Sequence, residues 1–464
     1  MTEQTPPPAV TRTLATYAAT LRFENIPQSV RNHVRLTTLD ALGCVIQGQS
    51  LPWTGMLSET VIADGGRPET SLIGRREKVP LAAAALVNAT AGHAFELDDI
   101  HRDAILHPNS ITVPVALNVA ERRAGAPGRD MITAIVAAYE VANRIGAAAG
   151  TDLLLRGFHP QGTIGAIAAA VTAARMMHLG AEQTLQAIGI AGSLGAGLMA
   201  AQEGAMVKRL HSGRAAEAGI RAADLAARGF TGIEDLVEVS YGGFLSSFAG
   251  NDRWQRALDG LGEVWETERT GFKPHATVTS IHSSLDCLKA IMTENRLQAT
   301  DITRIHAGLS KPTYVHCAWP YRAQSVTAAQ MNIYYGLAMI ALEGAAFVGQ
   351  FKPERIAAPE TLAFIERITA DVADDIETRG PGFRHMSRIT VTTQDGRTFT
   401  KEEAHRRGSP ENPVSASNLE AKFDALTAAI LSERAASELK AQIDSLETSP
   451  DVTALLSTIT GGLA

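Results

Sequence analysis

Cysteine is scarce in this chain. Cys44, Cys287 and Cys317 are the only three among 464 residues, and they stand far apart. No C-x-x-C pair exists, so a zinc ribbon or a disulfide framework has no support. An iron–sulfur cluster would need grouped thiolates, which are also missing. The reducing cytoplasm is the default compartment for such a chain. Nor is there an excess of basic residues: 42 Lys and Arg face 49 Asp and Glu, for a net charge of −7. That excludes the electrostatic footprint of a nucleic-acid binder. An anionic substrate must instead be met by a local cluster of cations. Long apolar runs are missing as well. One of the most apolar stretches, 131–150, contains Glu140 and Arg144, so no membrane span is predicted. The opening MTEQTPPPAVTRTL has no charged region followed by an apolar run, so no signal peptide is predicted.

What the chain does have is small and apolar residues. Its 40 glycines, many alanines and 45% hydrophobic content favour closely packed helices around a large core. Residues 1–9, with Pro6-Pro7-Pro8, read as a disordered leader. From 10 to about 250, apolar residues recur at three- and four-residue spacing over 27–48, 81–95, 111–124, 130–149, 163–177 and 213–228. That period predicts helices. The run Gly-Ser-Leu-Gly-Ala-Gly at 192–197 has the spacing of a dinucleotide loop but follows no strand, so helix packing explains it better. After about 270 the character changes. Segments 302–309, 388–393 and 397–401 read as strands, the last two joined by the hairpin signal Gln394-Asp395-Gly396. Helices are predicted at 325–343 and 357–369, and again over 416–446. The fold class expected is mainly α: an all-helical domain over 10–270, a smaller α+β unit over 271–403, and a helical segment over 404–464.

Candidate chemistry sits at loop-to-helix entries. His107-Pro108, His159-Pro160, the pair Lys208 and His211, and Lys273-Pro274 each precede a predicted helix, starting near 110, 163, 213 and 279. Helix N-termini offer free N–H groups and the positive end of the macrodipole, which suits carboxylates. Proline after each histidine fits a first helical position. Any one of these residues alone is more often a packed or capping side chain; their repetition in one context is the signal. A second feature is Glu96-Leu97-Asp98-Asp99, followed by His101, Arg102, Asp103 and His107. These residues suit proton transfer beside histidines, ligation of a divalent metal, or a solvated loop laced with salt bridges, and nothing in the sequence ranks the three.

Taken together, the motifs resemble those of the MmgE/PrpD family. His93-Ala94-Phe95-Glu96-Leu97-Asp98-Asp99 with His107-Pro108 resembles its HAxDxDD…HP signature. Gly157-Phe158-His159-Pro160 followed by Gly165 resembles its G[FW]HP…G segment, and Lys208 to Gly213 its K-x-x-H-x-G segment. Lys273 with His282, Tyr314-Val315 with Trp319-Pro320, and Gly408-Ser409-Pro410-Glu411-Asn412-Pro413 resemble later family stretches, the last continuing over 418–423. The matches run in family order from about 30 to 430.

The resemblance implies a large all-helical domain, a smaller α+β lid, a return of 404–464 to the helical domain, and a homodimer with its active site in the cleft between domains. It also implies a small polycarboxylate substrate and no metal, flavin or nicotinamide cofactor. Carried over by position, the site falls on Glu96, His107, His159, Lys208, Lys273 and Tyr314, with His282 matching a frequent family histidine. The expected roles are proton transfer by His107 tuned by Glu96, charge stabilisation by Lys208, protonation by Tyr314, and carboxylate binding by His159, Lys273 and His282. Three positions depart from the pattern: Glu96 replaces the usual aspartate, Ala276 replaces a proline, and Val278 replaces a histidine of the decarboxylase branch. The last points away from cis-aconitate decarboxylation. The expectation is therefore a lyase of the 2-methylcitrate dehydratase type. Epimerisation of a substituted dicarboxylate comes next, then decarboxylation. A carboxylate-binding scaffold, or a metal-dependent hydratase built on Asp98, Asp99, His101 and His107, is the alternative of another class.

Overall fold

In a computed structural model, residues 9–463 are described; apart from Ala9, the leader read over 1–9 lies outside them. Small residues dictate how the large unit packs. The helix Pro160–Met176 is buried on nearly every side and packs against Asn109–Arg122, Gly128–Leu155, Ala181–Leu194 and Val207–Ala227. A helix enclosed all round needs short side chains where its neighbours cross it. A Cβ at Gly219 would lie 2.3 Å from the Cβ of Ala169, and one at Gly213 would lie 2.1 Å from the carbonyl oxygen of Leu86. Either would force the helices apart in a close-packed interior.

The second unit has its own core. Strands lie in the order Ile368–Val372, Ile302–Leu309, Ser387–Thr393, Thr398–Glu403; the first pair is parallel and the others antiparallel. Leu285, Leu288 and Ile291 of the helix His282–Glu294 join Ile305, Ile389 and Val391 in this core. The chain is thus mainly α with a smaller α+β unit. The last helices return to the first core, which takes in Leu419, Phe423, Leu439, Ile443 and Ile459. No described helix is long and apolar enough to cross a membrane.

Several elements differ from the sequence reading. The helix expected over 81–95 is Leu81–Gly92, because the chain turns away and Glu96 adopts φ 55°. Lys208 and His211 do not precede a helix; they lie inside Val207–Ala227. Ser212 in the same helix is buried and accepts a hydrogen bond from Gln161. Lys273 lies in the irregular stretch after the short strand Thr270–Gly271, well before the helix at 282. The helix expected over 357–369 is Pro359–Ile365, and its tail is the strand Ile368–Val372.

The segment after Gly92 lies at the seam between the units. Phe95 and Leu97 belong to the second core, and Glu96 between them turns the other way. Ile100–His101 pairs antiparallel with Thr270–Gly271. That pairing brings Lys273 next to Glu96, although the two are 177 positions apart.

Candidate active site

Glu96 is the hub. It is buried, and its carboxylate accepts from Lys208 and from Arg209 at 2.5 Å on one oxygen and from Lys273 at 3.2 Å on the other. Burial alone would raise the Glu96 carboxyl, but Lys208, Lys273 and Arg209 together hold it well below the usual range. Burial pushes Lys208 down to about 8 against the pull of Glu96, and the nearby Arg209 adds to the fall. The extra methylene of glutamate over aspartate lengthens its reach toward cations on two different segments. Arg209 also donates to the Gln330 side chain at 3.0 Å, and Gln330 donates to the Phe95 carbonyl at 3.0 Å. One residue of the second unit thereby holds both an arginine and the backbone beside Glu96. From the opposite side, Lys422 donates to Asp40 and to the Leu97 carbonyl, each at 2.6 Å.

Against this cationic group stands an array of imidazoles. Ring centroids are 5.1 Å apart for His107 and His93, 5.8 Å for His93 and His159, and 5.1 Å for His159 and His211. His107 Nδ1 lies 2.6 Å from the Asp99 carbonyl oxygen. A carbonyl only accepts, so Nδ1 carries the hydrogen and Nε2 of the neutral ring is bare. His93 Nδ1 lies 2.7 Å from Asp98 Oδ2, and His93 Nε2 is buried without a partner among the described residues. Burial lowers His107 to about 3, and it also holds His93 and His159 well below the usual imidazole range, with Lys208 contributing in both. All of these rings are neutral near pH 7. Gln161 fixes His107 by accepting from its N–H at 2.9 Å and donating to its carbonyl at 3.1 Å. Burial raises Asp99 well above the usual carboxylate range, against the opposing bonds from Tyr139 at 2.6 Å and the Asn109 N–H at 3.0 Å.

Five of the residues picked from sequence therefore converge: Glu96, His107, His159, Lys208 and Lys273. Their partnerships differ from the expectation. Glu96 pairs with the cations, while Asp98 and the Asp99 carbonyl face His107, the former at 3.6 Å. Tyr314 lies half-buried on the helix Lys311–Cys317, and its hydroxyl has no hydrogen-bond partner among the described residues. His316 on that helix is 3.0 Å from the Gln202 side chain, and burial with nearby Lys208 lowers it. His282 contacts the Thr277 carbonyl at 3.3 Å and faces the His275 ring at 5.1 Å, with Lys273 near enough to act on its ring. The sequence reading had not singled out His93, Arg209, Gln161 or Gln330 as site residues.

The acidic run does not assemble as the metal set considered from sequence. His101 pairs with Glu266 at 2.8 Å, and Asp99 is engaged by Tyr139. His93, Asp98 and His107 do offer donor atoms within 4.8 Å of one another. However, Lys273 stands 3.9 Å from Asp98. A divalent ion would face that ammonium directly, so the donor set fits one poorly.

A mainly helical body, an α+β second unit and a buried group of cations at their seam are the frame in which the site is built. Residues 12–257 match the MmgE/PrpD N-terminal domain and residues 275–448 the MmgE/PrpD C-terminal domain, and the chain belongs to the MmgE/PrpD family. It is 31% identical to a cis-aconitate decarboxylase-like protein of Aspergillus oryzae over 100% of both chains. It is 28% identical to cis-aconitate decarboxylase of Aspergillus terreus, covering 96% of this chain and 95% of that one. Human cis-aconitate decarboxylase is 26% identical over 98% of this chain and 95% of its own.

Proposed function

We propose that the protein is a cofactor-independent lyase acting on a small di- or tricarboxylate, beginning with removal of a proton next to a carboxylate. The observation that carries this reading is His107: a neutral ring, fixed through Nδ1–H, with a bare Nε2 and with Lys273, one of the three cations gathered on Glu96, close enough to act on the ring. A substrate carboxylate takes over Lys208 and Lys273 from Glu96. His107 Nε2 accepts the proton from the adjacent carbon. The electron pair left behind delocalises into the carboxylate, where fixed cations in a dry site stabilise it. The pair then forms a carbon–carbon double bond as hydroxide leaves the next carbon and is protonated to water, with Tyr314 as the candidate donor. The leading reaction is thus dehydration, of the kind performed on 2-methylcitrate. The absence of histidine at Val278 is in keeping with it.

Decarboxylation is a second reading, favoured by the names of relatives that match along the whole chain. The same cations would then stabilise the charge left by departing CO₂. Proton NMR in D₂O with 2-methylcitrate, citrate, cis-aconitate, iminodisuccinate and short 2-hydroxy diacids separates the readings. A vinylic signal with loss of the hydroxylated carbon supports dehydration; CO₂ release from cis-aconitate replaces it with decarboxylation. Exchange of C–H for C–D without net alkene would make the protein an epimerase. Silence across the panel would contradict the lyase reading and favour a binding protein. A homodimer in the cytoplasm completes the proposal, with sedimentation at micromolar concentration as the check on its oligomeric state.

A further inference from the structure

A second cationic site lies apart from the Glu96 group. A cleft of about 310 Å³ opens where the two units and the returning segment meet, lined by Arg102, Arg269, His385, His405, Arg406 and Glu411 among others. That size is at the lower end for small-molecule sites. Arg406 is the unusual member. It is 3% exposed, yet no carboxylate lies within ion-pairing distance among the described residues. Its one hydrogen bond is a long one, 3.3 Å from Nη1 to the Phe272 carbonyl. A guanidinium carries five N–H donors in a planar fork, and the Arg406 nitrogens that make no bond keep contact with the open cleft, where Glu411 is the nearest carboxylate to act on them. Next to it Arg384 donates to the Arg102 carbonyl at 2.8 Å and to His385 Nε2 at 3.2 Å, again without a carboxylate. Because His385 Nε2 accepts, its Nδ1 keeps a hydrogen and adds a donor. Carboxylates engage the other arginines of the cleft: Glu411 meets Arg102 at 2.8 Å, with both side chains about one-third exposed, Asp103 meets Arg102 at 3.4 Å, and Glu266 meets Arg269 at 3.4 Å.

The Gly408–Pro413 stretch builds this cleft. Gly408 has φ 86°, and a Cβ there would lie 2.0 Å from the Phe272 carbonyl oxygen. Only glycine lets the turn close on that strand. The closure also seats Arg406 against Phe272, the residue before Lys273. We propose that this cleft is an anion-binding site, separate from the Glu96 group, in which Arg406 takes an oxyanion pair of a small polycarboxylate or of inorganic phosphate in bidentate fashion. A ligand there would tie the large unit, through Arg102, to the second unit, through His385. It would also press on the strand that positions Lys273. The inference does not depend on the reaction proposed above, because it concerns binding alone.

Calorimetric titration of the full chain with inorganic phosphate tests it. Phosphate should bind wild type and Lys208→Ala alike, and bind Arg406→Gln about tenfold more weakly or worse. If Arg406→Gln does not fold, the rim double variant Arg102→Gln/His405→Gln should weaken binding in the same direction. Competition of tricarballylate against phosphate on Lys208→Ala assigns the site to carboxylates as well; no competition assigns it to phosphate. Absence of phosphate binding, binding unchanged in Arg406→Gln, or binding lost in Lys208→Ala instead would overturn the proposal.

Discussion

The two cationic sites solve the same problem in opposite ways. At the seam, Lys208, Arg209 and Lys273 converge on a carboxylate that the chain itself supplies, Glu96. In the cleft, Arg406 is equally buried but has no such partner. An internal counterion makes a cluster of buried cations stable while the site is empty, and a substrate carboxylate must displace it. Where the chain supplies none, the counterion must come from outside. A carboxylate-handling fold can therefore hold cations ready either by neutralising them in advance or by leaving one frustrated.

The sharpest way to break this comparison is to remove the internal counterion. Glu96→Gln removes the shared counterion of three buried cations, leaving Lys273 only Asp98 at 3.9 Å and Arg209 only the neutral Gln330, and should destabilise the protein by about 3–5 kcal/mol. The lower end is expected, because Lys208 already sits at about 8 and can shed its proton. Urea denaturation gives the difference; a loss below about 1 kcal/mol would mean that the ion pairs do not form. The next effect is on pH dependence. Lys208 is charged below about 8 and neutral above it, so carboxylate binding weakens as pH rises through that value. Log kcat/KM, which reports the free enzyme, should fall with unit slope above about pH 8. A flat profile to pH 10 would remove Lys208 from substrate binding. The smallest effect has the opposite sign. Arg406→Met removes a frustrated charge and should leave stability unchanged or raise it by about 1 kcal/mol. Adding phosphate should then stabilise wild type but not this variant; a destabilised Arg406→Met would show that the guanidinium is paired after all.

Much of this was legible in the sequence, for identifiable reasons. The helices of the large unit follow from apolar spacing, and the helix at 160 from His159-Pro160. The strand Ile368–Val372 escaped because it is a short parallel edge strand, ITADV, of which only Ile368 is fully buried. Among site residues, motif positions found Glu96, His107, Lys208 and Lys273, while local rules misled elsewhere. Arg209 follows Lys208 directly on a helix, and adjacent helical residues face different directions. Both nonetheless reach Glu96, because the turn at positive φ brings its carboxylate between them. Gln330 lies 121 positions from Arg209, and no local pattern announces that contact. The orienting partners of the imidazoles, Asp98 and the Asp99 carbonyl, depend on the same turn.

His107 carries the central step of the proposed reaction. The measurement is the rate at which the substrate's C–H adjacent to a carboxylate is lost, followed by proton NMR in D₂O for wild type and His107→Gln. With His107 Nε2 as the base, the variant should lose roughly 10²–10⁴ in rate with its fold intact by circular dichroism. A folded His107→Gln that removes the proton at the wild-type rate would contradict the mechanism and shift attention to His93, whose Nε2 also has no partner.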